Sequence, residues 1–375
     1  MGKIFTVLGL MSGTSGDGVD ASIISSDGAD HYSEVLNKYY EYDQKIYKNL
    51  HNLRGKILKF EDLSMNEKEI ILLEKEITLF HAKVVKEILD LVDENIDLIG
   101  FHGQTIYHNP LKKISKQIGD GNLLSQLSKK TIIYNFRKND LQNGGEGAPL
   151  TPVFHKLIVK QNRIELPVCI LNIGGITNVT LIDEYDKDSF LSRDLGPGNC
   201  LIDEWIRNNT KKKFDKNGDI AKRGKINNLI VNQALDNFEN KSKQKTLSFD
   251  TKDFSLGFVR GLDLDDGAAT LTEFTARIIT MELSSFLPET KNNPFRILVC
   301  GGGRKNTNLL ERIKSLTPKN LVVERVDDYG IDGDYIESQA FAYLAIRSFL
   351  KLPISYPSTT GCLKPTTGGV ITKNF

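Results

Sequence analysis

Three stretches of this chain run from apolar residues into glycines, and each carries residue types that grip phosphate. GLMSGTSGDGVD (9–20) sets Gly13, Gly16 and Gly18 among Thr14, Ser15, Asp17, Val19 and Asp20. Glycine lets the backbone take positive φ and come close to a ligand. Successive main-chain N–H groups in such a turn form a concavity for an anion, and the hydroxyls add donors. No Gly-Lys-Ser/Thr comes after it, so this is not a Walker A loop. The residues after Gly18 alternate like a strand, so it is not a dinucleotide fingerprint opening a helix. LNIGGITNVT (171–180) repeats the theme with Gly174, Gly175 and Asn178, and CGGGRKN (300–306) with Gly301, Gly302, Gly303 and Asn306. The third opens a helical pattern, where a helix N-terminus free of side chains suits a nucleotide. Each stretch alone also reads as a plain glycine turn; three in one chain are harder to dismiss.

Candidate acid–base and binding groups lie between these turns. DLGPGN (194–199) puts Asp194 just ahead of a Gly-Pro-Gly turn, with Gly196 inside it and Asn199 set to cap a helix carrying Leu201, Ile202 and Trp205. A carboxylate so placed can serve as a general base, or be an Asx-type turn residue. Glu337 opens the helical pattern of 335–350, where the helix dipole alone favours an acid. In FHGQTIYH (101–108), His102, Gln104 and His108 can hold polar substrate groups. Metal ligation competes, but histidines six apart after a strand lack the helical His-x-x-x-His spacing. In 135–155, Arg137 and Asp140 flank a glycine-rich loop with Pro149 and Pro152 at its exit. Arg137 suits a substrate carboxylate and equally a structural salt bridge.

The elements that must position these groups alternate strand and helix. Residues 4–10 form an apolar run, 19–23 alternate, and 31–42 add a third strand. Ile70, Leu73, Ile77, Phe80, Val84, Ile88 and Leu91 share one face of a helix over 66–92. His81, on the same helix, reads as a packing or surface residue. IDLIGFHG (96–103) reads as a strand ending in a turn, and TIIYNF (131–136) as another. A second block, 167–183, echoes the first hairpin: strand, glycine turn, strand. RILVCGGG (296–303), a helix at 306–316, the strand NLVVERV and the helix 335–350 complete the series. This alternation predicts an α/β protein. The Lys/Asn-rich region 208–250 reads as surface loops or an insertion. At 375 residues two domains are expected. They are 1–140 and 141–375, with the boundary within 140–165 and the last segment free to pack back on the first.

Composition excludes several classes. Hydrophobic residues at 39% and charged residues at 26% argue against disorder. Lys+Arg 49 against Asp+Glu 48 leaves a net charge of +1, so no global field draws the chain to nucleic acid or an anionic membrane. Cys169, Cys200, Cys300 and Cys362 are scattered, which suits a reducing compartment. The apolar run at 4–11 is too short to span a membrane and lacks a secretory cleavage site. A cytoplasmic protein is expected.

Three separated strand-to-glycine turns in a two-block α/β chain are the arrangement of actin/hexokinase/Hsp70-like ATPases, by fold analogy. Taken together with IESQAFAYLA (336–345) and TTGCLKPTTGGV (359–370), the segments resemble the anhydro-N-acetylmuramic acid kinase family, in the family's order and over nearly the whole chain. The resemblance implies a two-domain actin-like/hexokinase-like fold of ribonuclease H-like domains with a central cleft. It implies a homodimeric bacterial sugar kinase that uses ATP with Mg²⁺ and water. Such an enzyme opens the 1,6-anhydro ring and phosphorylates O6, giving N-acetylmuramic acid 6-phosphate for peptidoglycan recycling. Asp194 matches the family's catalytic base, and Glu337 a carboxylate that helps orient water. Gly13, Thr14, Ser15, Gly16, Asp17, Gly18, Val19 and Asp20 match its phosphate loop. Gly174, Gly175 and Asn178 match the second phosphate turn, and Gly301, Gly302, Gly303 and Asn306 the adenosine side. His102, Gln104, Arg137, Gly147, Ala148, Pro149, Gly196 and Asn199 match the sugar side.

Four places depart from that pattern. Gly16 stands where an apolar residue is usual, Leu195 where Thr commonly follows the base, and Glu146 where Gln is common. QKTLSFDTKDF (244–254) replaces an expected Pro-Pro-Lys-Ser-like stretch. Two other readings stand beside the kinase. One is a kinase for another anhydrosugar such as levoglucosan, which lacks the lactyl carboxylate and needs no cationic partner. The other is a nucleotide-binding scaffold without sugar chemistry.

Overall fold

A computed structural model describes residues 2–185, 190–242, 248–287 and 295–375. The chain divides into two compact units: Met1–Ile164 with Tyr335–Phe375, and Glu165–Asp334. The described strands, in chain order, are β1 (Phe5–Ser12), β2 (Gly18–Ser26), β3 (Tyr32–Glu41), β4 (Leu98–Asn109), β5 (Ile114–Ile118), β6 (Thr131–Tyr134), β7 (Val168–Ile173), β8 (Ile176–Ile182), β9 (Phe190–Pro197), β10 (Phe295–Cys300), β11 (Leu321–Arg325) and β12 (Val370–Thr372).

The first unit carries a sheet of order β12-β6-β4-β1-β2-β3, with β5 paired to β4. The pairs β1/β2 and β2/β3 are antiparallel, and β1/β4 and β4/β6 are parallel. The second unit repeats this plan as β11-β10-β7-β8-β9. Its β7/β8 and β8/β9 pairs are antiparallel, and its β7/β10 and β10/β11 pairs parallel. In both, a three-strand meander is extended on the other side of its first strand by two parallel strands. The first strand of each is therefore central and reads as a nearly unbroken apolar run, as a strand covered on both faces must.

Within the first unit, helix Ile336–Phe349 lies directly on the sheet. Gly9 and Gly100 are register partners on β1 and β4. A Cβ on Gly9 would sit 2.0 Å from the Ser338 carbonyl oxygen, and one on Gly100 2.3 Å from that of Phe341. Only glycine permits this approach, which seals the core against one of the most apolar helices of the chain. Of the stripe its spacing predicts, helix Glu67–Leu89 buries Ile70, Leu73, Ile77, Val84 and Ile88; Phe80 is half-buried, His81 is buried beside them, and Leu91 falls beyond the helix end and is exposed.

Several expectations need correction. The strand read over 96–103 continues to Asn109, because β5 pairs with its second half. The turn read at 194–199 is largely strand β9. Helix Leu264–Phe286, not anticipated, is the longest of the second unit. The polar region 208–250 is not merely loops: it includes helix Asn228–Ser242 and packs Ile220, Val231, Ala234 and Phe238 into a core with Trp205, Leu271 and Ile278. Val231, Ala234 and Phe238 step by three and four, so a thin apolar stripe carries the packing through a Lys/Asn-rich stretch. Among the described residues no helix is long and apolar enough to cross a membrane.

Candidate active site

In the first unit the turn after β1 is held from several sides. The Gly13 carbonyl accepts from Gly16 N (3.1 Å) and from Gln104 Nε2 (3.0 Å). The Thr14 carbonyl accepts from the Arg54 guanidinium (2.5 Å), and Tyr42 N donates to the Asp17 carbonyl (2.9 Å). Ser15 Oγ donates to the Asp17 carboxylate (2.5 Å). Below the turn runs a directed chain. His81 Nδ1–H donates to the Ile77 carbonyl (2.8 Å), which leaves Nε2 to accept from Ser12 Oγ (3.3 Å). Ser12 Oγ in turn accepts from the Tyr42 hydroxyl (2.9 Å). Burial pushes His81 down to about 4, so the neutral tautomer that this chain requires holds at neutral pH. Thr14 and Ser15 remain exposed. Gly16 has φ +64°, and a Cβ there would lie 2.8 Å from Leu50 Cδ2. In this conformation the position favours glycine.

The same unit holds the loop 143–149. The Arg137 guanidinium donates to the Gly147 carbonyl (2.8 Å) and to His102 Nε2 (3.0 Å). His102 Nδ1–H donates to the Gly103 carbonyl (2.8 Å). Burial first, then the neighbouring Arg137 charge, lowers His102 to about 3, so it is a neutral, fixed ring. Asp140 is buried; one carboxylate oxygen accepts from Gly147 N (2.7 Å) and the other from Thr360 Oγ1 (2.7 Å). Arg137 and Asp140 thus grip one residue, Gly147, from its two polar ends. Ala148 and Pro149 come next in the chain. Glu146 donates its backbone N–H to the Thr360 carbonyl (2.8 Å). A cavity of about 200 Å³ beside His102 is lined by Glu74, Lys116, Asp120, Tyr134 and Asn135. Gln104 serves the turn after β1 instead of this loop, because the register shift between Leu10 and Ser12 on β1 breaks the two-residue alternation on β4. His108 Nδ1 is hydrogen-bonded to Ser115 Oγ (3.0 Å), on β5. Glu337 stands half-buried in the first turn of helix Ile336–Phe349.

In the second unit the glycine turns interlock through the main chain. Gly198 N and Cys200 N donate to the Gly175 carbonyl (2.9 and 3.2 Å), and Asn199 N to that of Gly174 (2.8 Å). This docks the N-terminus of helix Cys200–Asn209 on the turn between β7 and β8. Asn199 heads that helix without a side-chain cap; its carboxamide donates to the carbonyls of Ile173 and Gly174 (3.4 and 3.3 Å). Asp194 lies on β9, a register partner of Asn178 on β8. It is 9% exposed, and its Oδ2 accepts from Phe249 N (2.7 Å). Leu195, next to it, is fully buried in the unit's core. Of the segment that departs from the family pattern, residues 244–247 lie outside the described ones; Phe249 packs on Phe238 and Phe254. The third turn abuts the second: a Cβ on Gly303 would lie 2.2 Å from Ile173 Cγ2, whereas one on Gly302 would meet nothing within 4 Å. Asn306 caps helix Thr307–Leu316 by accepting from Leu309 N (3.0 Å).

Each unit therefore gathers part of the residues singled out by sequence. Ser12, Tyr42, Arg54, Phe249 and Arg304 were not singled out, and His81 and Asp140 only for other roles. All act on groups far off in sequence, or through main-chain atoms that no motif displays.

The repeated strand order, with glycine turns at matching strand ends, defines a ribonuclease H-like fold of the actin/hexokinase kind. The sequence profile described as anhydro-N-acetylmuramic acid kinase matches residues 5–374. The chain is 56% identical over 375 residues to the anhydro-N-acetylmuramic acid kinase of Pelagibacter ubique, covering all of both chains. It is 37% identical over 384 residues to that of Agrobacterium fabrum, again over all of both. Among solved structures, the activator of the 2-hydroxyisocaproyl-CoA dehydratase from Clostridium difficile is 11% identical with a TM-score of 0.41, over 92% of this chain and 96% of that one. The chain belongs to the anhydro-N-acetylmuramic acid kinase family.

Proposed function

We propose that this protein uses ATP and water to open the 1,6-anhydro ring of anhydro-N-acetylmuramic acid and to phosphorylate O6. The products are N-acetylmuramic acid 6-phosphate and ADP, a step in recycling cell-wall sugars. The observation that carries the reading is Asp194. Its carboxylate is fixed through one oxygen by a main-chain N–H, on the strand whose end docks onto the second glycine turn. Asp194 takes a proton from water as the water oxygen bonds to the anomeric carbon. The bond from that carbon to the bridging oxygen breaks, and its electron pair leaves on that oxygen. The bridging oxygen, now O6, bonds to the γ-phosphorus, and the bond to the β,γ-bridging oxygen breaks to release ADP. Glu337 helps orient the water.

Phosphoryl transfer asks mainly for positioning and charge neutralisation. The open turn at 13–16, the second turn at Gly174 and Gly175 and the uncovered Gly302 are surfaces on which main-chain N–H groups meet phosphate and nucleotide. Two buried acceptors without a hydrogen-bond partner among the described residues, Gln104 Oε1 in one unit and Asn178 Oδ1 in the other, suit polar ligands. The Asp17 and Asp20 carboxylates at the first turn are hard oxygen donors of the kind Mg²⁺ takes beside phosphate. When bound, Mg²⁺ supplies charge neutralisation of the phosphates. His102, Arg137 and the loop from Gly147 to Pro149, with Gly196 and Asn199, hold the sugar. By family resemblance the working form is a cytoplasmic homodimer, which sedimentation of the purified chain tests.

The deciding experiment is ADP release with ATP and Mg²⁺ on three sugars in parallel. Turnover on anhydro-N-acetylmuramic acid, and not on N-acetylmuramic acid, supports the reading. Turnover mainly on levoglucosan moves the substrate to a sugar without a lactyl carboxylate. A folded protein that binds ATP and releases no ADP with any sugar contradicts it.

A further inference from the structure

Arg304 comes directly after the third glycine turn, and its side chain is 5% exposed. Burying a guanidinium is costly unless its donors are met. Here they are met almost wholly by one returning segment. Nε and NH2 donate to the two oxygens of Asp327 (2.8 and 3.0 Å), a two-pronged pair. NH1 donates to Asp334 Oδ1 (2.6 Å) and to the Gly301 carbonyl (3.2 Å), and NH2 lies 3.6 Å from Asp332. The main chain closes the same loop, since Gly301 N donates to the Gly333 carbonyl (3.1 Å). Gly333 leaves the room: a Cβ there would lie 2.6 Å from Arg304 Nε. Lys305 pairs with Asp334 as well.

We propose that Arg304 is a positioning residue for the nucleotide: its guanidinium clamps the turn of Gly301, Gly302 and Gly303 to the segment 326–334, and the clamp sets affinity for ATP and not for the sugar. This rests on the proposed function, in which the third turn meets the nucleotide. Although burial opposes it, the Arg304 hydrogen bonds hold the Asp327 and Asp334 carboxyls below the usual range, so the pairs stay charged at neutral pH. The arrangement also has an electrostatic side. Asp327, Asp332 and Asp334 outnumber Arg304 and Lys305, so the patch is net acidic beside a turn that is to meet a polyanion.

That imbalance gives the clamp a distinctive test, because geometry and charge predict opposite signs. Asp327→Asn removes a negative charge and half of the two-pronged pair while keeping Arg304. If geometry governs, KM for ATP rises, by about 3- to 10-fold for a lost charge-assisted bond. KM for the sugar and kcat then stay within about twofold, the bound set by calling the bond selective for nucleotide. Arg304→Lys keeps the charge, loses the fork, and is expected to behave the same way. Binding of a non-hydrolysable ATP analogue to the full-length chain gives the readout independent of turnover. A fall in KM for ATP, or no change in a variant with wild-type thermal stability, overturns the clamp. So does an equal change in both KM values, the mark of a merely structural role. If wild-type protein itself binds no ATP analogue, the nucleotide reading of the turn has failed, and the clamp with it.

Discussion

The two units build their glycine turns on the same sheet plan and hold them by different means. In the first, the turn after β1 hangs on side chains recruited from afar: Arg54, Gln104 and, through Ser12, Tyr42 and His81. In the second, the turn after β7 is held chiefly by main-chain N–H groups of residues 198, 199 and 200 on the carbonyls of Gly174 and Gly175, with the Asn199 carboxamide adding longer contacts. A main-chain lattice is insensitive to side-chain chemistry. A side-chain lattice is exposed to it, above all to protonation. All six histidines of the chain, His31, His51, His81, His102, His108 and His155, lie in the first unit. Three of them are deeply buried.

The largest effect expected is in the second unit, where the proposed chemistry depends on one side chain. Asp194→Asn keeps the acceptor for Phe249 N and removes the proposed base. Turnover is expected to fall by about 10²- to 10⁴-fold, the usual worth of general base catalysis, with ATP-analogue binding intact. A variant that turns over at the wild-type rate would show that the water is activated elsewhere.

Acid should separate the units next. Burial lowers His81 to about 4 and His102 and His155 to about 3. Above pH 6.5 these rings are neutral folded and unfolded alike, so the contribution is fully present there. Between pH 6.5 and 4 the unfolded chain binds protons that the folded unit refuses. Stability then falls by roughly 1.4 kcal/mol per pH unit for each histidine at full slope. In the second unit the carboxyls of Glu273, Asp327 and Asp334 are shifted downward and cost stability only as pH falls below the usual carboxylate range, while Glu204, raised by burial, loses no stability in acid. Hydrogen exchange at pH 5 against pH 7 is expected to lose protection first in β1, β4 and helix Glu67–Leu89. Earlier loss in β7 and β10 would reverse the comparison.

The smallest effect tests the side-chain lattice itself. Tyr42→Phe removes the donor to Ser12 Oγ and little else, at a cost of about 1 kcal/mol in unfolding free energy. KM for ATP is expected to rise severalfold, because the turn loses one of its supports. An unchanged KM with the same loss of stability would make the Ser12 chain a packing feature alone.

The legibility of the sequence divides along the same line. Contiguous motifs disclosed all three turns and Asp194, because each is a short run of neighbouring residues, whatever holds it from elsewhere. The stripe from Ile70 to Ile88 disclosed its helix. What stayed hidden were partners that only the fold brings together. Arg54 meets Thr14 across 40 residues and Thr360 meets Asp140 across 220. The helix Leu264–Phe286 was hidden because it is buried nearly all round and shows no clean polar face. The packing of 208–250 was hidden by its lysines and asparagines.

In the proposed reaction water enters at the anomeric carbon while the bridging oxygen takes the phosphoryl group. Turnover of anhydro-N-acetylmuramic acid in ¹⁸O-water, quenched early and read by mass spectrometry, tests it directly. One heavy oxygen is expected in N-acetylmuramic acid 6-phosphate, on the anomeric carbon, and none in the transferred phosphoryl group. Heavy oxygen in the phosphoryl group, or a product that gains none, would contradict it.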